Sequence, residues 1–177
     1  DKYVQAAFEY DSKKSGGLTI SHLRFGDSPI KSEYMTATLD FVACHNTTYV
    51  RKYNLTKGLK PGGTFLLNTS WDDERLAKNL PSELKRFIAE NQIKFYTIDA
   101  VKIARNTGMG QRINTIMQVA FFKLAAVMPF DEAYEILKKD AQKYAKKSPT
   151  IVEKNLMAMQ EALTGLHEVV IPDDWSQ

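Results

Sequence analysis

Leu39-Asp40-Phe41-Val42-Ala43-Cys44 is a short, nearly continuous apolar run. A strand with one wet face alternates apolar and polar residues, so this run fits a strand covered on both faces, at the centre of a mainly parallel sheet. The residues after it have the order such a sheet needs. Tyr49, Val50, Tyr53 and Leu55 can share one side of a short helix, and Lys60-Pro61-Gly62-Gly63 is turn chemistry leading into a strand at Thr64-Phe65-Leu66-Leu67-Asn68. A second βαβ unit comes next. Ser70 and Asp73 can cap a helix running to about Asn79, Pro81 restarts one carrying Leu84, Phe87 and Ile88, and residues 93–98 return as a strand.

Ahead of this core, Val4, Ala6, Phe8 and Tyr10 alternate, and Leu18, Ile20, Leu23 and Phe25 form a second extended segment; residues 11–17 between them are turn-rich, which predicts a β-hairpin. The C-terminal half reads as helices over residues 100–106, 110–128, 131–146 and 149–164. Ser148 serves as N-cap of the last, Pro149 as its first residue and Gly165 as its stop. Val169-Val170-Ile171-Pro172 reads as an extended exit strand. The expected fold is therefore α/β: a three-layer α/β/α sandwich with a mixed, mainly parallel sheet and a helical C-terminal half. A chain of 177 residues without an internal boundary or repeat is expected to form one domain.

Composition removes several function classes. Charge is balanced, with 24 basic and 21 acidic residues, so no clustered basic footprint for nucleic acid is expected. The longest apolar stretch, residues 113–128, is interrupted by Asn114, Gln118 and Lys123, short of the roughly 18–20 apolar residues of a membrane span. A cytoplasmic protein without membrane or nucleic-acid partners is expected. The single cysteine, Cys44, reads as a small core hydrophobe. His22, His45 and His167 are scattered, with no ligand set at metal spacing. No Gly-x-Ser-x-Gly elbow is present, and Asp72, Asp73 and Glu74 suit a helix start without catalysis. His45 follows the central strand at its carboxyl end, where open α/β sheets place ligands; it is a site candidate, or else a turn-capping or subunit-contact histidine.

Three further features can meet a ligand. Lys13 and Lys14 stand beside Gly16 and Gly17 in the hairpin turn, putting ammonium charge next to a backbone that permits close approach, although turn lysines are usually solvated. In Asn106-Thr107-Gly108-Met109-Gly110-Gln111-Arg112, Gly108 suits the end of one helix and Gly110 the opening of the next, whose free N–H groups can bind an anion. Asn114 interrupts an apolar helix and must find a buried partner or face a site. Asn155, among Val152, Leu156 and Met159, poses the same question, with a solvated position as its default.

Tyr10 through Phe25, including Lys13-Lys14-Ser15-Gly16-Gly17, resembles the hairpin of the third, gamma-type domain of the pyruvate:ferredoxin (flavodoxin) oxidoreductases. Asp40 to His45, Gly62 to Asn68 and Gly108 to Gln118 resemble that domain in the same order, so the likeness covers nearly the whole chain. The resemblance implies a domain of an enzyme that oxidatively decarboxylates pyruvate with thiamine diphosphate, sends electrons through iron–sulfur clusters to ferredoxin or flavodoxin, and transfers the acetyl unit to coenzyme A. It further implies a homodimeric parent whose other domains hold the thiamine and pyruvate sites, the isolated chain being inactive. One cysteine cannot ligate an iron–sulfur cluster.

Also by resemblance, Lys13 or its neighbour Lys14, Asn114 and Asn155 correspond to coenzyme A contacts. The ammonium would neutralise phosphate, and the amides would orient adenine or pantetheine groups. The chain begins with Asp1-Lys2-Tyr3, after the family's glycine-rich coenzyme A segment, so a partial site is expected. Two alternatives remain: a structural domain that positions its neighbours, and a free-standing nucleotide-binding subunit.

Overall fold

The computed structural model describes residues 3–10, 19–26, 39–52, 54–110, 113–125, 129–142 and 149–177. Their contacts fall into two compact units, residues 1–97 with 167–177, and residues 98–166.

The first unit is built on a sheet of strands β1 (Tyr3–Tyr10), β2 (Thr19–Gly26), β3 (Leu39–Cys44), β4 (Leu59–Asn68), β5 (Lys94–Ile98) and β6 (His167–Glu168), side by side in chain order. The expected hairpin is present, with β1 and β2 paired antiparallel from Tyr3–Gly26 to Tyr10–Thr19; its turn lies outside the described residues. Leu39–Cys44 is the expected central strand. Val42 and Cys44 join one core with Phe65 and Leu67, while Phe41, Ala43 and Leu66 between them are equally buried, so both faces are covered.

The sheet is mixed, as expected. β3 and β4 run parallel, whereas β1–β2, β2–β3 and β5–β6 are antiparallel. Double-sided burial, the signal behind the expectation, reports coverage of a strand and not the direction of its neighbours. The connection from β3 to β4 is a 3-10 turn at Thr47–Val50 and not a helix through Leu55; Tyr53 lies outside the described residues.

Lys60-Pro61-Gly62-Gly63 sits inside β4 as a bulge and does not precede the strand. Leu39 pairs with Leu59 and Phe41 with Thr64, so the short step on β3 is matched by a longer one on β4. Gly62 adopts a left-handed φ of 78° and donates its N–H to the Asn91 carbonyl at 2.8 Å. Lys60 pairs with Asp40 across the bulge. A Cβ on Gly63 would stand 2.8 Å from Leu59 Cδ1 and 2.9 Å from the Lys60 carbonyl oxygen. Because one obstacle is backbone, Gly63→Ala is expected to destabilise by about 1–3 kcal/mol, lowering the melting midpoint of the chain by roughly 5 °C. An unchanged melting curve would mean that the bulge has more room than this geometry allows.

Helices α1 (Asp73–Asn79) and α2 (Ser82–Glu90) join β4 to β5. Asp72, not Ser70 or Asp73, caps α1: its extended backbone lets the carboxylate accept the Arg75 N–H at 2.9 Å. Asp73 is thereby free to accept from His167 Nε2 at 2.9 Å. Pro81 occupies the cap position of α2, whose Lys85 ammonium reaches back to the Ala77 carbonyl at 2.7 Å. The expected exit strand turns back instead. The Val169 N–H bonds the Phe95 carbonyl at 2.9 Å, and a 3-10 turn at Asp173–Ser176 buries Trp175 in the same core. Phe95 stacks on Phe65 with ring centroids 5.4 Å apart and meets Trp175 at 6.2 Å.

The second unit is helical: α3 (Ala100–Asn106), α4 (Asn114–Ala125), α5 (Phe130–Gln142) and α6 (Pro149–Gly165). α4 packs on α5 and α6, and α3 packs on α4 and α6. α5 buries Ala133, Leu137 and Ala141 at a spacing of one turn. α6 buries Asn155, Ala158, Met159 and Ala162, a stripe whose small residues let helices approach closely. Ser148, the expected cap of α6, lies outside the described residues. Among the described residues, no helix is long and apolar enough to cross a membrane.

Candidate functional site

The carboxyl ends of β3 and β4 carry a polar cluster. Asn68, buried, donates from Nδ2 to the His45 carbonyl at 2.9 Å, and the Thr47 hydroxyl donates to the Asn68 carbonyl at 2.7 Å. Thr69, also buried, accepts the Trp71 N–H at 3.1 Å. Burial pushes the His45 imidazole below its ordinary pKa and so favours its neutral form. Burial pushes the Cys44 thiol up to about 11, and the thiol donates to the Asn46 carbonyl at 3.1 Å; its reactivity is correspondingly low. These bonds stitch the strand ends together through the main chain of His45.

The helical unit gathers a different set at one end. α3 closes in a Schellman motif: the Met109 N–H reaches the Ala104 carbonyl at 2.7 Å and the Gly108 N–H the Arg105 carbonyl at 3.3 Å, with Gly108 at φ 80° and Met109 buried. Gly108 thus ends α3 as its position suggests. Gly110 does not open α4, because its φ of 68° is also left-handed; the helix begins at Asn114, with the Met117 N–H bonded to the Ile113 carbonyl at 3.0 Å. Gln111 and Arg112 lie outside the described residues.

α6 packs on α3 at two places. Gly165 lies against Ile103, and the stem of Lys154 lies over Gly108. Lys154 therefore lies beside the glycine turn that closes α3.

The two asparagines stand in different environments. Asn114, set in an apolar stretch, is exposed because it opens α4. Asn155, expected in solvent, is 7% exposed and begins the buried stripe of α6. No hydrogen bond of the Asn155 side chain is made among the described residues. A buried, unpaired amide costs on the order of 1–3 kcal/mol, so this position is poised for a partner. The helices bearing Asn114 and Asn155 pack on each other, while Lys13 and Lys14 lie outside the described residues.

The first unit also holds a cavity of about 420 Å³, floored by Val50, Leu55, Leu84 and Phe87 and edged by Arg51 and Lys52. The Arg51 guanidinium is held by the Asn79 carbonyl at 3.1 Å.

Against this geometry, comparison with known proteins is specific. The family model described as pyruvate ferredoxin/flavodoxin oxidoreductase matches residues 1–165, and the chain belongs to that family. The pyruvate:ferredoxin oxidoreductase of Moorella thermoacetica is 52% identical over 177 residues, which is 99% of this chain and 15% of that protein. The pyruvate-flavodoxin oxidoreductase of Klebsiella pneumoniae is 50% identical over 175 residues, 98% of this chain and 15% of that protein. The chain thus spans about 15% of the length of these relatives. In fold it is similar to the crystal structure of pyruvate oxidoreductase subunit PORC from Thermotoga maritima, with a TM-score of 0.65 at 22% identity over 93% of this chain and 80% of that one.

Proposed function

We propose that this chain is a coenzyme A-holding domain of an oxidoreductase that converts pyruvate to acetyl-CoA and passes the electrons to ferredoxin or flavodoxin. The observation that carries the reading is Asn155, a buried amide with no hydrogen-bond partner among the described residues, on a helix packed against the one that Asn114 opens. An amide offers both donors and an acceptor, the complement of the amide groups of a pantetheine arm or the edge of an adenine. Coenzyme A contact would satisfy Asn155 and offset its desolvation, whereas the exposed Asn114 can adapt to the ligand at little cost.

Thiamine diphosphate and the iron–sulfur clusters would be held outside this chain, since its one cysteine is buried with a raised pKa and supplies no cluster ligand set. Thiamine diphosphate would supply decarboxylation and the clusters the electron path; this chain would bind and orient the thiol acceptor of the acetyl group. Lys13 or Lys14 would add an ammonium that neutralises phosphate charge.

Steady-state kinetics of the full-length oxidoreductase test the reading. Asn155→Ala is expected to raise the KM for coenzyme A about tenfold, equivalent to about 1.4 kcal/mol of binding, with the KM for pyruvate held. An unchanged coenzyme A KM together with impaired assembly would instead establish a purely architectural domain.

A further inference from the structure

We draw no further inference here: the strongest candidate, the cavity between the β3–β4 connection and α2, carries nothing, because its Arg51 guanidinium is already held by the Asn79 carbonyl at the end of α1 and nothing in the structure shows what covers its apolar floor.

Discussion

Trp175→Ala is expected to lower the unfolding free energy by about 3–5 kcal/mol and the melting midpoint by roughly 10 °C. Trp175 is 4% exposed and sits in the core with Phe95, which in turn stacks on Phe65 of β4. The 3-10 turn that carries it packs on α2, so removing the indole opens a void between sheet and helix that neither backbone can collapse to fill. The Val169 bond to Phe95 and the β5–β6 pairing would then hold the segment without its main apolar anchor. Thermal unfolding of the chain followed by circular dichroism reads this directly. A shift of a degree or two would mean that the segment is peripheral to the core.

Asn155→Leu is expected to act in the opposite sense. Substitutions of buried polar residues usually destabilise because a partner is orphaned, but here no partner exists among the described residues to be lost. Leucine removes the desolvation penalty of the amide and adds apolar contact beside Ala158 and Met159, so the ligand-free protein should gain about 1–3 kcal/mol. The gain comes at the expense of function, since the group released from the core is the one assigned to coenzyme A. A loss of stability of the kind usual for core substitutions would show that the amide is already satisfied in the folded protein.

How much of the fold is legible in the sequence depends on how local the signal is. The apolar run from Leu39 to Cys44, the alternation at Val4, Ala6, Phe8 and Tyr10, and the Ala100 and Pro149 helix starts give strands and helices in place, because period and turn chemistry act within a few residues. The direction of strand pairing is not legible: burial on both faces reads the same whether the neighbour runs parallel or antiparallel. Lys60-Pro61-Gly62-Gly63 has the composition of a turn yet forms a bulge, since the β3 ladder and the Asn91 carbonyl hold it in the sheet. Val169 reads as outward bound because its partner, Phe95, is far away in sequence.

The site obeys the same rule. The residue types at Asn114 and Asn155 are visible, but the sequence leaves the environment of Asn114 open and puts Asn155 in solvent, where the structure buries it. Asn114 escapes the apolar helix because two left-handed glycines delay the start of α4, and Asn155 is buried because α6 lays its alanine stripe on neighbouring helices. Neither is a property of the flanking residues alone.

The most direct test of the coenzyme A assignment is the thermal shift produced by coenzyme A in the full-length protein and in its Asn155→Leu variant. A ligand present at about a hundred times its dissociation constant stabilises the state that binds it by about 2.7 kcal/mol. Coenzyme A is expected to raise the melting midpoint of the unaltered protein, whereas the variant, although more stable without ligand, should gain little at the same concentration. Equal shifts in the two proteins would place coenzyme A away from Asn155 and contradict the assignment.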